Sequence, residues 1–298
     1  MRLGVAAVVV LACCFGSVGA QQADEPESRG QMAFTYQYNR ARGFNAPYGE
    51  IVPADLTTHV IDFAAHYRVK DRWTVSLGLP LTSREWKGPP LHDPLAIIPP
   101  QPDSEFIDDN HFHTYLQDLR FGASYLVTSE PIAFEPYLEY AVPASDYPFF
   151  GSSTPGRQLQ TIEVGSTLAY RPPFLRWYFA LKAGYAMSDK VLGYETDAMR
   201  VTLESAYFVG PRLTLNTFLH SKNGGGWEIP TPDAFDLTSE TWYRHDQFTR
   251  HNFKTLGVGV DWALDDRNVL NVTTMNMVHA EDIYKLRKAL SVTFSRSF

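Results

Sequence analysis

Three sets of side chains in this sequence have types and spacings that chemistry could use. The first is His220-Ser221-Lys222-Asn223-Gly224-Gly225. A His and a Ser two residues apart on a strand point the same way, so the imidazole can take the hydroxyl proton and create a nucleophile for a lipid ester. Some strand-built lipid hydrolases place the pair in this way and follow it with Asn-Gly. Here Ser221 comes directly after His220, and Lys222 stands where the serine is needed. The pair therefore belongs on opposite faces, and the expected reading is a strand end running into a glycine-rich loop, with no catalytic residue.

The second set is Asp108, Asp109, His111 and His113. Two imidazoles at alternate positions share a strand face, a spacing that suits a metal ion. Spacing supplies no third ligand, so a solvated loop rim is expected and no metal site. His245 and His251 are expected in a loop as well. The third set is larger: Asp62, His66, Arg68, Arg120, Glu135, Glu139, Glu163, Arg176, Lys182, Arg200, Glu204 and Lys254. These residues acquire meaning only through the elements that carry them.

Those elements show a period of two. Trp73, Val75, Leu77, Leu79 and Leu81 alternate with Thr74, Ser76, Gly78, Pro80 and Thr82. Over 57–69, His59, Ile61, Phe63, Ala65, Tyr67 and Val69 take one face, and Val60, Asp62, Ala64, His66 and Arg68 take the other. Alternate side chains of a strand point to opposite faces. Similar runs recur near 31–40, 115–127, 132–142, 159–171, 175–187, 197–208, 212–222, 253–264, 268–279 and 286–298. There are about twelve, each about 9–13 residues long, where globular strands average ~5–6 residues. A tilted membrane strand needs ~9–11.

The connections are alternately short (Lys70-Asp71-Arg72, 128–131, 171–174, 209–212, 264–268) and long (41–56, 85–114, 143–158, 223–252), with 188–196 and 280–285 modest. This predicts an all-β fold: a transmembrane antiparallel β-barrel of about 12 strands with short periplasmic turns and longer extracellular loops. In 132–142, Glu135 and Glu139 share a face opposite Ile132, Phe134, Leu138 and Tyr140. Two carboxylates on one strand face are costly in hydrocarbon, so that face should line a wet lumen. By the same alternation the whole charged set is assigned to the lumen. There it either sets the charge selectivity of a pore or closes the lumen with mutual ion pairs. The ring-bearing residues Trp73, Phe174, Trp177, Tyr115, Tyr140 and Trp262 are expected in the interfacial girdles. The proline-rich stretch Pro89-Pro90-Leu91 to Pro99-Pro100 should fold inward as a constriction, cap the barrel, or form an outer loop with its own small core.

Residues 1–20 read as a secretory signal peptide: Arg2, an apolar run from Leu3 to Phe15, then Val18-Gly19-Ala20 at the cleavage site. Lipoprotein processing at Cys13 is the weaker alternative. Residues 21–30 would form a short periplasmic segment and 31–298 the barrel. Cleavage removes both cysteines, Cys13 and Cys14, and with Arg2 takes the formal charge from −7 to −8. The acidic balance argues against nucleic acid as a partner. Past residue 20 no apolar run approaches the ~18 residues of a membrane helix.

Several segments carry a resemblance. His66-Tyr67-Arg68-Val69-Lys70-Asp71-Arg72-Trp73 leads into Leu77-Gly78-Leu79-Pro80-Leu81; Gln117-Asp118-Leu119 opens a run ending in Tyr125; and Tyr140-Ala141-Val142-Pro143-Ala144-Ser145-Asp146-Tyr147 follows. In this order they resemble the outer-membrane transporters grouped as the "MetA-pathway of phenol degradation" family, from about residue 55 to the C-terminus. Gln117 stands in place of the family's Gly, and Ala144-Ser145 in place of Thr-Gly. The resemblance implies a Gram-negative outer-membrane barrel that passes small, often aromatic or hydrophobic, molecules; no energy-coupling motif or cofactor site is visible in the sequence, so passive entry with no cofactor and no enzymatic activity is expected. Its surroundings would be membrane lipid and lipopolysaccharide. The terminal Phe298, after Leu290, Val292 and Phe294, resembles the signal read by the barrel-assembly machinery, although Arg296 departs from it. A structural or surface-interaction barrel with a closed lumen, and an outer-membrane lipid hydrolase, are the alternatives.

Overall fold

The computed structural model describes residues 28–46, 49–50, 55–89, 92–97, 99–229, 236 and 238–298. The expected signal peptide and most of the segment to residue 30 lie outside these residues, as do Pro90, Leu91 and Ile98. The strands are β1 (Gly30–Ala46), the two-residue β2 (Gly49–Glu50), β3 (Asp55–Lys70), β4 (Trp73–Lys87), β5 (Phe112–Leu116), β6 (Asp118–Tyr125), β7 (Ile132–Pro143) and β8 (Thr161–Tyr170). They continue with β9 (Trp177–Ser188), β10 (Ala198–Phe208), β11 (Leu213–Gly224), β12 (Asn252–Ala263), β13 (Asn268–Glu281) and β14 (Ile283–Ser297), with one helix, α1 (Glu240–Phe248), before β12. β5 and β6 are two halves of one strand, interrupted at Gln117 opposite Pro80, and both pair with β4. The described residues thus form a closed antiparallel barrel of 12 strands, each paired with its sequence neighbour and β14 with β1.

The alternation in sequence becomes an inside and an outside. Along β4, Trp73, Val75, Leu77 and Leu81 are exposed, whereas Gly78, Pro80, Thr82, Arg84 and Trp86 are buried. Exposed Ile61, Phe121, Leu138, Val164, Phe179, Leu203, Leu219, Val258, Val272 and Leu290 continue the same belt around the barrel. Apolar side chains outward and polar ones inward invert a soluble protein and match a barrel solvated by lipid. Trp73 beside Tyr125 (centroids 4.9 Å apart) and Trp177 beside Tyr207 (5.0 Å) mark the girdle at the short-turn end. Tyr115 departs from the girdle expectation: it pairs with inward Thr82 and its hydroxyl donates to Glu105. Closure places Phe34 opposite Phe294, and Phe298 exchanges two backbone hydrogen bonds of 2.9 Å with Gly30.

Several strands run beyond the expected lengths: β1 has 17 residues, β3 has 16, and β4 and β14 have 15 each. The extra turns of alternation lie at the long-loop end, where the outer face becomes charged. Arg40 bonds Asp55 at 2.8 Å and Lys87 pairs with Glu85 at 3.0 Å. A boundary drawn where apolar residues stop therefore stops short of where hydrogen-bonded pairing stops.

This taller side of the wall holds a plug. Ala41, Phe44, Leu56, Trp86 and Tyr284 on the strands pack with Ile97, Phe150, Ile229 and Trp242 from three long connections. The proline-rich stretch thus shares an inward-facing core with two other connections instead of keeping one of its own. Helix α1 lies inside the expected long loop 223–252. Ser239 caps its N-terminus by accepting from Trp242 N at 3.2 Å, and Thr249 N–H closes it on His245 O at 2.8 Å.

The orientation of the wall is testable at Leu77. Leu77→Arg is expected to cost ~2–4 kcal/mol in refolding into lipid vesicles. Leu77→Phe should stay within ~0.5 kcal/mol, because lipid makes room where a packed core does not. A phenylalanine more damaging than the arginine would place residue 77 in the lumen.

Candidate functional site

Ten of the twelve charged candidates lie on the inner wall: Asp62, His66, Arg68, Arg120, Glu135, Glu139, Glu163, Lys182, Arg200 and Glu204 each alternate with the outward apolar positions of their strands. Two do not. Arg176 is exposed in the turn before β9, where its guanidinium donates to Val209 O at 3.1 Å. The strand begins one residue after it, so alternation does not govern its direction. Lys254 faces outward, paired with Ser221 and in line with exposed Leu256, Val258 and Val260; Phe253 and Thr255 take the inner positions. The apolar even-numbered residues of β12 set that parity.

The inner wall segregates its charges. Glu139 on β7 stands directly opposite Glu163 on β8, and Arg200 on β10 directly opposite Lys222 on β11. Like charges directly opposite are destabilising, so the arrangement opposes stability. β9 between them contributes only Gly184 and Ala186 at this level. Gly184 leaves room for the Tyr137 hydroxyl and the Glu163 carboxylate, which a Cβ would strike. Across this gap Arg200 reaches Glu163 at 2.7 Å, and Tyr137 donates to Glu163 at 2.6 Å. Lys182 Nζ sits 4.4 Å from the centre of the Tyr137 ring. Elsewhere Arg120 pairs with Asp62 at 2.6 Å, and Ser124 donates to Glu135.

These walls bound a cavity of about 200 Å³ under the plug, lined by the carboxylates of Asp118, Glu139 and Glu163 and by the cations Arg120, Arg157, Arg200 and Lys222. At ~30 Å³ per water, that is the volume of about seven waters. Arg157, Lys222 and Asp118 are absent from the sequence-derived set. Lys222 was legible, since it shares the parity of His220; Arg157 sits on the β7–β8 connection, where no periodicity points to it. Arg157 donates to Thr249 O and, at 2.9 Å, to His251 Nδ1. Burial brings the Arg157 guanidinium down to about 10 and holds His251 well below its ordinary value, so the imidazole is a neutral acceptor.

His220 and Ser221 lie on opposite faces as expected. His220 is buried inward with its Nδ1 2.9 Å from Thr202 Oγ1, and Ser221 is on the outer face. The Asp108–His113 cluster divides. Asp109 pairs with His113 at 2.9 Å near largely exposed His111. Asp108 turns inward, where it accepts from Ser152 N and Ser153 N at 3.1 Å and contacts His92 Nδ1 at 2.6 Å. His245 belongs to α1 and is fully buried, not a loop residue.

His92, His245 and Asp246 are the one group of metal-ligating type among the described residues, with candidate atoms within 4.8 Å of one another. The two imidazoles are stacked, with centroids 5.5 Å apart and planes 11° from parallel. His92 Nδ1 is taken up by Asp108 and His245 Nδ1 by Trp242 O, and the group lies at the polar centre of the plug. Burial pushes the Asp246 carboxyl up to about 7, against His92 and the Gly151 N–H, which hold it down.

No family model matches the chain, and no curated protein matches its sequence. Solved structures do match. The COG4313 outer membrane channel from Pseudomonas putida F1 aligns with a TM-score of 0.69 at 15% identity, over 92% of this chain and 97% of that one. The chain has the fold of Gram-negative outer-membrane β-barrels. The β domain of the Bordetella autotransporter BrkA (TM-score 0.51, 12% identity, 91% and 100% covered) and the NanC porin (0.50, 7%, 90% and 98%) share the architecture more loosely.

Proposed function

We propose that this protein is a passive channel of the Gram-negative outer membrane for small polar molecules, related to the phenol-degradation transporters that its sequence resembles. The observation that carries this reading is the cavity inside the barrel, lined by charges of both signs. Carboxylates on β7 and β8 and cations on β10 and β11 line one solvent-sized space, with like charges opposite each other on each strand pair at a cost to stability. The charges disfavour a hydrophobic solute, and the volume suits a compound of single-ring size.

The reading is tested by swelling of liposomes that contain the purified barrel. Small polar solutes are expected to enter faster than into protein-free liposomes, with a cut-off near single-ring size. Equal rates with and without protein would refute it. The closed-lumen reading draws on the plug and on the Asp62–Arg120 and Glu163–Arg200 pairs, and predicts that equality. Insertion through the assembly machinery is proposed to depend on Phe298, whose backbone closes the barrel on Gly30.

A further inference from the structure

Lys222 is buried on the inner face of β11 at 7% exposure and lines the cavity under the plug. Among the described residues no carboxylate pairs with its side-chain nitrogen and no hydrogen bond reaches that atom, while the charges that act on it most strongly are two more cations, Arg157 and Arg200. Arg200 is engaged by Glu163. Arg157 lines the same cavity and bonds only neutral acceptors, Thr249 O and His251 Nδ1, and its Nε has no partner. Asp246 acts on Arg157 only at a distance, and two cations facing one cavity with no carboxylate in contact with either are costly, because a buried charge needs a partner of opposite sign. None of the carboxylates that also line the cavity contacts Lys222 or Arg157. Asp118 accepts from Tyr147, Glu163 is shared by Arg200 and Tyr137, and Glu139 lies on β7, four strands from β11.

We propose that Lys222 and Arg157 form an anion subsite that holds the carboxylate of a small organic acid in transit. The inference rests on the channel reading and names the chemical class that the channel selects. Lys222 belongs to the wall and Arg157 to the plug, so the bound carboxylate bridges the two. An ammonium offers three donors as a point charge and a guanidinium a planar fork, and together they satisfy both carboxylate oxygens. The about 200 Å³ of space accommodates one aromatic ring behind the carboxylate.

Binding is measured by calorimetry on the full-length barrel in detergent, with benzoate, benzyl alcohol and benzylamine as probes: one ring with a negative, neutral or positive substituent. Benzoate alone should bind. Lys222→Gln and Arg157→Gln should each weaken it about tenfold or more, as expected for loss of a charge-assisted hydrogen bond in a buried site. Lys222→Met keeps the length of the side chain and removes the charge. It should abolish benzoate binding while raising the thermal transition of the barrel, because an uncompensated charge has gone. A lysine with a purely structural role would lose stability on that change. Absence of benzoate binding, binding that survives Lys222→Met, or equal binding of benzylamine would each overturn the proposal. Calorimetry does not require conduction, so a barrel that binds benzoate but lets nothing through would refute the channel reading and leave the subsite standing.

Discussion

Trp242→Ala is expected to release the plug while leaving the barrel intact. The indole is buried in the plug core, stacked 4.0 Å from the His245 ring and 5.2 Å from His92, with Phe150 edge-on at 5.9 Å. Truncating a buried Trp costs ~3–5 kcal/mol. The barrel is held by its closed hydrogen-bonded wall, so the cost should fall on the plug as a local opening. On intact cells, added protease should cut within 225–251 far faster in the variant, and in planar bilayers its conductance should rise several-fold. Heat-modifiable gel mobility, which reports the barrel, should not change. Faster cleavage with unchanged conductance would mean that the plug does not obstruct passage.

Arg200→Glu should reverse the preference of the lumen. The cavity would then carry Asp118, Glu139, Glu163 and the new carboxylate against Arg120, Arg157 and Lys222, a surplus of one negative charge in place of one positive. Rings of carboxylate favour cations, so the reversal potential across a salt gradient should move toward the cation side. Arg200→Gln should give an intermediate shift. Both variants lose the 2.7 Å contact with Glu163, and loss of a charged hydrogen bond at a half-buried site costs about 1–3 kcal/mol. A loss of stability with no shift in reversal potential would show that the pair only braces the wall.

The barrel is legible in sequence because its rule is local. Leu77 and Ser76 declare their faces by alternation alone, and strand length separates a membrane wall from a soluble sheet. The same rule fails where alternation stops governing direction, as at Arg176 in a turn, or where it is read from a charge instead of from its neighbours. At Lys254 the apolar residues Leu256, Val258 and Val260 fix the parity, and the lysine must follow. Lys222 was readable by that test and Arg157 was not, since a loop residue reaches the lumen only through tertiary packing. The plug is illegible for the same reason. His92, Asp108, Gly151 and Asp246 come from three separate connections, and no spacing along the chain announces that they meet. Helix α1 is only nine residues long, below the length at which helices are stable alone, and its apolar face has meaning only against Trp86 and Tyr284.

Single-channel recording of the barrel with and without the helical part of its plug tests the open lumen most directly. Residues 229–248 are replaced by a short Gly-Ser link, and the wild type and the shortened protein are inserted into planar bilayers. The predicted result is a small conductance for the wild type and one several-fold larger for the shortened barrel, which benzoate blocks only while Lys222 is present. A shortened barrel that retains heat-modifiable mobility yet passes no more current than the wild type would contradict this, because removing the helical part of the plug would then have opened no path.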